Sequence, residues 1–483
     1  MPDLPSREFH RHLIGGEQVE SADGARFDSV DPWTRQPWAE VSLGSPADAD
    51  RAVVAARRAY DSGPWPRMGH AERGRTLHRL ADLVESHADE LGLADTRDMG
   101  KPVSQSVGND VPRAAQNFRF FADHARLAVA DALPMDTGHH AYTRHEPAGV
   151  VAAIAPWNFP LMLESWKVAP ALVWGNTVVL KPAEDTPVSA ALLARLALEA
   201  GIPPGVFNVV HGHGPESVGQ ALTEHPGVDR VTFTGESSTG RSVAAAAAAN
   251  LTPVSLELGG KGANLVFDDA DPDAAVEWSI KAIFTNAGQV CLAGSRLYVQ
   301  RGVYDEFLDR FCAAAEAMVI GDPRDANTQI GPLASEQHHR KVRRYVETIE
   351  SARGKLRTGG LGDGWTVRPT VVTDLPPDAP HCLEEIFGPV APVAPFDTEA
   401  DAIRLANDTR YGLTAMVFTE DLHRAHRVSA ALRAGTVWVN CFFIRDLRAP
   451  FGGVGDSGIG REGGDFSREF FTEPKAVIMR IKS

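Results

Sequence analysis

The spacing of apolar residues changes part-way along the chain. Up to residue 110 they recur every third or fourth position, in DADRAVVAARRAYD and in ERGRTLHRLADLVESHADELGLADTRD. That period predicts amphipathic helices. From residue 149 short β-rich runs take over, and GVVAAIAP, NTVVLKPA, GVFNVVHG and DRVTFTG each predict a strand. Between them, ALLARLALEAGIPPG predicts a helix stopped by Gly201, with Pro203 and Pro204 beyond it. SVAAAAAAN, at 242–250, is expected to be an alanine-rich helix. A second set follows: strands at PVSLELGG and ANLVFDD, a helix from about Asp271, a strand at SRLYVQ and a helix at YDEFLDRFCAAAEAMV. Cys312 falls inside the apolar pattern of that last helix and is expected to pack. Such alternation implies βαβ units, an α/β fold with a parallel sheet covered by helices on both faces. No internal repeat and no long linker interrupts it, so the domains are expected to be intertwined.

Length and charge narrow the functional classes. A chain of 483 residues can build two or three domains with sizeable cores. The net charge is −15 with no basic block, which argues against nucleic acid or an anionic membrane as a partner. Cys291, Cys312, Cys382 and Cys441 lie far apart, the pattern of a reduced cytoplasmic chain without a disulfide framework or zinc knuckle. MPDLPSREFHRHL is too polar for a signal peptide, and the most apolar window, GVVAAIAPWNFPLML, is broken by Pro156, Asn158 and Pro160. Of the 17 histidines, HGHG at 211–214 and the pair His338-His339 invite a metal reading. Neither has a carboxylate or cysteine at ligand spacing, so no metal is expected and these are read as solvated loop histidines.

FTGESSTGRS, residues 233–242, is one residue away from a phosphate-transfer loop. Gly235, Gly240 and Ser242 are in place, but Arg241 stands where the lysine should be. A glycine-spaced turn before a helix offers free N–H groups to any phosphate, or needs glycine for its geometry alone. GHGPESVG at 212–219 is equally open. VVLKPAEDTP puts Lys181 and Glu184 just past a strand end, where open α/β sheets bind ligands and an acid can accept from ribose hydroxyls.

Three further stretches carry chemistry. TNAGQVCLAGSR sets Cys291 among Gly288, Gln289, Ala293 and Gly294 at the expected end of a helix, which leaves its sulfur approachable. VSLELGGKG places Glu257 beside a Gly-Gly turn at the end of an apolar strand, and APWNFPLML places Asn158 in a proline-bracketed loop. Nucleophile, carboxylate base and amide donor are the parts needed for acyl chemistry through a thioester.

PWNFP, KPAE, FTG, LELGGK, GQVC, EEIFGP and PFGG, in this order, resemble the NAD(P)-dependent aldehyde dehydrogenase superfamily from about residue 10 to the C-terminus. The resemblance makes FTGESSTG a dinucleotide turn. It implies Cys291 as nucleophile, Asn158 and the Cys291 N–H as oxyanion donors, and Glu257 as the base that activates water. It further implies a proton relay through Lys167 and Glu462. NAD would be held by Trp157, Lys181, Glu184, Gly235, Gly240, Glu385 and Phe387. Glu184, where a 2′-phosphate would sit, implies NAD over NADP. Glu236 departs from the serine that many members carry after FTG and puts an extra acid near the pyrophosphate. The architecture implied is an NAD-binding domain (1–129 and 148–257), a catalytic domain (258–455) and a β-flap oligomerisation element (130–147 and 456–483). The alternation in AVIMRIK suits an edge strand at a subunit interface of a homo-oligomer, dimer or tetramer. A CoA-acylating relative is disfavoured by Glu257, and a retired, non-catalytic scaffold by retention of Cys291, Glu257 and Asn158 together.

The substrate reading rests on CFFIRDLRAPFGG and DVPRAAQNFRFFAD. A pocket for neutral aldehydes needs apolar walls, and unpartnered charges there are costly. These stretches are similar to the branch that oxidises muconic semialdehydes, which implies Arg113 and Arg445 as a clamp for a remote carboxylate, with Phe451 beside them. Arg119 and Arg448 are left open between that role and ordinary ion pairing.

Overall fold

The apolar runs after residue 149 form the centre of an eight-stranded sheet in a computed structural model that describes residues 7–481. Residues 1–6 and 482–483, at the ends of the stretch MPDLPSREFHRHL and of the expected flap, lie outside the described residues. Val254–Glu257, Arg230–Thr234, Val150–Ile154, Thr177–Lys181 and Phe207–Val209 run parallel in that order. Val150–Ile154 and Thr177–Lys181 are buried at every residue, because helices cover both faces. One face packs on Val111–Arg126, Pro160–Val173 and Val188–Glu199, the other on Pro46–Ser62, Val218–Glu224 and Ser237–Ala248. The helix of ALLARLALEAGIPPG ends as expected, with Gly201 at φ 91° just past it.

A second sheet has seven strands, in the order Lys355–Leu361, Val367–Thr373, Val390–Phe396, Arg296–Gln300, Ala263–Val266, Thr414–Phe418 and Thr436–Val439. The first is antiparallel and the rest parallel. Cys312 packs against its core, as its pattern predicts. The chain passes from one sheet to the other between Glu257 and Ala263, the stretch that carries LELGGK. A third, antiparallel sheet joins Thr472–Arg480 to His139–Pro147 over nine paired residues, with Thr472–Arg480 at its edge and Ile478 and Met479 exposed. Gly458–Ile459, grouped by sequence with the flap, instead pairs antiparallel with Leu256–Glu257 on the first sheet.

The N-terminal region departs from its helical expectation. Five short strands lie between Glu8 and Ser42, most of them three residues long, too short to show an alternating period. The long helix read over 72–98 is two helices, His70–Ser86 and Ala88–Met99, broken where His87 adopts φ −107°, ψ 26°.

Candidate active site

The residues singled out in the sequence converge on the carboxyl ends of the parallel strands, where an open α/β sheet leaves its crevice. A cleft of about 1590 Å³ runs there, with Lys181 and Glu184 among its lining residues and Trp157, Asn158, Cys291, Glu385 and Phe387 among the others.

Cys291 follows the helix Pro272–Phe284 and a turn in which Asn286 and Ala287 both take φ 52°. Left-handed backbone at two non-glycine residues is strained and must be held from outside. Gln289 supplies part of that hold. Its buried side chain donates to the Asn286 carbonyl (3.0 Å) and accepts from the Ala334 N–H (2.9 Å). Asn158 supplies the rest, donating from Nδ2 to the Gln289 carbonyl (2.9 Å), while Asn286 donates back to the Asn158 carbonyl (2.9 Å). One N–H of the Asn158 amide is thus spent on locking the cysteine loop, and a second remains for a ligand. Burial pushes the Cys291 thiol up to about 12, helped by Glu385 and Glu257, while Arg445 and its own backbone N–H oppose this.

Glu257 ends the strand Val254–Glu257, fully enclosed, and neither carboxyl oxygen has a hydrogen-bond donor among the described residues. Burial drives its pKa well above the ordinary carboxylate value, and Glu462 adds to this, against Lys167, Arg445 and Arg461. Lys167 donates to Thr232 Oγ1 (3.0 Å) and Glu462 Oε1 (3.2 Å), and Trp166 Nε1 donates to Glu462 Oε2 (2.6 Å). The expected relay residues therefore sit together as a buried ion pair within electrostatic reach of Glu257.

The Gly-Gly pair of LELGGK has two separate steric reasons. A Cβ on Gly259 would collide with Glu385 Oε2, and one on Gly260 would come within 2.5 Å of the Cys291 carbonyl. Glu385 Oε1 accepts from the Gly260 N–H (2.8 Å), leaving its other oxygen outside that bond. Burial raises this carboxyl to about 7. Phe387, at φ 60°, packs edge-on to Trp157 with ring centres 5.3 Å apart. At the other end, Lys181 Nζ meets Glu184 Oε2 at 3.2 Å. Burial alone would raise the Glu184 carboxyl, but Lys181 and its other partners hold it below its ordinary value. Gly235 borders the cleft, whereas Gly240 faces Leu258 and serves to pack the helix Ser237–Ala248 on its sheet.

Two histidine readings are corrected. His338 and His339 lie in the helix Glu336–Glu347 and are buried. His338 stands 4.9 Å from Trp157 and bonds the Phe387 carbonyl at 2.7 Å, so it belongs to the cleft wall. Burial lowers it to about 4, which keeps it neutral. His211 is likewise buried, stacked on His12 at 5.7 Å, and only His213 of HGHG is exposed. A helical period in SEQHHRKVRRY was the available signal for His338.

The arginines divide cleanly. Arg119 is ion-paired with Glu85 and Asp82, and Arg448 with Asp446 at 2.6 Å, so both are surface pairs. Arg113 and Arg445 have no carboxylate partner among the described residues. The Arg445 guanidinium lies 3.9 Å above the Phe451 ring and 4.7 Å above Trp166. Burial and then Arg113 lower it to about 10, against Glu462, Glu257 and Cys291.

A thiol, an enclosed carboxyl and an amide beside a long crevice at the strand ends are the parts of a cysteine-dependent oxidoreductase of the dinucleotide-using kind. The aldehyde dehydrogenase family model matches residues 19–477, and the chain belongs to that family. It is 47% identical to a 2-hydroxymuconic semialdehyde dehydrogenase of Pseudomonas sp. (strain CF600), across 98% of this chain and 99% of that one. It is 44% identical to a mitochondrial benzaldehyde dehydrogenase of Antirrhinum majus, across 99% of this chain and 90% of the other. Among solved structures, an indole-3-acetaldehyde dehydrogenase complexed with NAD+ superposes with a TM-score of 0.97 at 41% identity, covering 99% of this chain and 97% of that one. No described helix is long and apolar enough to cross a membrane.

Proposed function

We propose that this enzyme oxidises a muconic semialdehyde, an aldehyde carrying a remote carboxylate, irreversibly to the acid with NAD and water. The observation that supports the substrate class is the pair Arg113 and Arg445. Two guanidiniums, partly buried and without a carboxylate of their own, neighbour each other, and Arg445 sits within electrostatic reach of Cys291 and Glu257. Such an arrangement is unfavourable unless an anion completes it. A planar carboxylate gripped there would set the aldehyde carbon near the thiol. Resemblance alone does not choose, since relatives at 47% and 44% identity bear the names of a semialdehyde and a neutral aldehyde enzyme.

The cleft residues fit NAD: Glu385 offers a free carboxyl oxygen at one end, and Lys181 with Glu184 a ribose site at the other. When bound, NAD supplies the acceptor for the aldehyde hydride. Cys291, deprotonated, adds through sulfur to the aldehyde carbon while the free Asn158 N–H and the Cys291 N–H hold the oxyanion. Loss of hydride leaves a thioester on Cys291. Glu257 then takes a proton from water, the hydroxide adds to the acyl carbon, the C–S bond breaks, and the acid leaves as the Cys291 thiolate is restored. The proton passes on to the Glu462–Lys167 pair. Overall the aldehyde, NAD and water give the carboxylic acid, NADH and a proton. Glu257 favours hydrolysis over acyl transfer to CoA. Residues 1–129 with 148–257 would form the NAD-binding domain, 258–455 the catalytic domain, and 130–147 with 456–483 the contact of a cytoplasmic homo-oligomer.

The test compares kcat/KM for 2-hydroxymuconic semialdehyde with that for hexanal and benzaldehyde. Arg113→Ala or Arg445→Ala should cost on the order of 2–4 kcal/mol for the acid semialdehyde and far less for the neutral aldehydes. Equal losses on both would mean that the arginines hold structure rather than substrate.

A further inference from the structure

Glu236 follows the FTG turn, and its carboxylate does not cap the helix Ser237–Ala248 that it precedes. It reaches instead toward Lys341 Nζ, 3.6 Å away, on the helix Glu336–Glu347. Both side chains line the cleft. Two other basic residues of that helix find acids on it: Arg340 with Glu336 at 3.4 Å and Arg343 with Glu347 at 2.6 Å. Lys341 pairs outside the helix, with a residue of the segment that follows a strand of the other sheet. Glu236 and Lys341 also act on Glu385 with opposite signs, so the pair stands near the carboxyl assigned to the nicotinamide ribose.

We propose that Glu236 is an internal competitor for the dinucleotide pyrophosphate, holding Lys341 across the cleft and thereby weakening the grip on NAD and speeding NADH release. The inference rests on NAD being the cofactor. A pyrophosphate carries two negative charges and has to lie along the crevice that joins the Lys181–Glu184 end to Glu385. The uncapped N–H groups of the helix Ser237–Ala248 and the Lys341 ammonium are donors suited to it. The Glu236 carboxylate, carried by the residue that precedes this helix and paired with Lys341, repels the incoming anion and occupies the lysine. A neutral residue there would leave both to the ligand. The pair is partly exposed, with side chains 29% and 62% accessible for Lys341 and Glu236, so the effect is modest and depends on ionic strength.

The experiment measures NADH and ADP-ribose affinity, by energy transfer from tryptophan to bound NADH and by calorimetry, with NADH dissociation followed by stopped flow. Glu236→Gln should tighten both ligands about three- to tenfold, mainly through slower dissociation, and the gain should shrink as salt screens the charge. Glu236→Asp should stay near the parent, and Lys341→Met should weaken both ligands. Adenosine, which has no pyrophosphate, should bind all variants alike, a pattern that a general change in cleft shape would not give. Unchanged or weaker ADP-ribose binding in Glu236→Gln, with NADH still bound by the parent, would overturn the proposal. Failure of the parent to bind NADH would overturn the NAD reading and this one with it.

Discussion

Glu257 can act as a base only when ionised, yet burial and Glu462 hold its carboxyl protonated well above the usual range. Steady-state turnover limited by thioester hydrolysis should therefore rise with pH through neutrality, with the midpoint of that rise reporting Glu257. Its neighbours can be changed in opposite senses. Glu462→Gln removes the negative charge that raises Glu257 and leaves Lys167, formerly paired at 3.2 Å, unneutralised. Both changes favour the carboxylate, so the rise should move to lower pH. Lys167→Met leaves Glu462 negative beside Glu257, and the rise should move to higher pH. A unit charge at roughly 6 Å in a medium of effective dielectric ~20 is worth about 3 kcal/mol, or about 2 pH units. Polar neighbours absorb part of that; Trp166 and Thr232 both hydrogen-bond Glu462, so a shift of about one unit is expected in each direction. The assay is the pH profile of NADH production after the first turnover, with Glu257→Gln as the reference. That variant should give a burst and then stall at the thioester. Shifts in the same direction, no shift, or continued turnover in Glu257→Gln would refute the assignment.

Two further tests address the thiol and the buried acids. Because Cys291 is raised to about 12, its alkylation by iodoacetamide, located by peptide mass spectrometry, should climb steadily with pH. The rise should be about tenfold per unit from neutral pH upward. A plateau near pH 7 or 8 would show a thiolate at rest and contradict the burial argument. Asp95, Asp98 and Glu164 are buried together, raised by burial to about 7, to about 8 and well above the ordinary value respectively. The folded chain then keeps protons that the unfolded chain has lost, so stability should fall as pH rises from about 4 to 8. Glu164, whose two oxygens have no partner among the described residues, contributes to that fall. Glu164→Gln should flatten it, read as melting temperature at pH 5 and pH 8, and an unchanged slope would refute the reasoning.

The α/β class was legible because burial on both faces forces continuous apolar runs, and the runs at Val150–Ile154 and Thr177–Lys181 are such strands. Cys291, Glu257 and Asn158 stood out because each is a reactive or polar group at the end of an apolar element, flanked by glycine or proline. That is a local property, written in a few consecutive residues. The first strands, between Glu8 and Ser42, could not be read, since most are three residues long, and Glu8–His10 and His12–Ile14 join partners distant in sequence.

Packing decided the rest. Lys167 and Glu462 are 295 residues apart, and Trp166 and Thr232 join them only because a helix, a strand and the C-terminal segment meet beneath Glu257. No composition distinguishes Arg113 and Arg445 from Arg119 and Arg448. The second two find carboxylates at the surface and the first two do not, which is a matter of what each side chain faces. His338 looked like a loop residue, and burial against Trp157 and Phe387 made it part of the cleft wall. Sequence spells out which groups can do chemistry and where elements begin. Charge state, pairing and access depend on the dielectric and neighbours that folding assembles from distant segments.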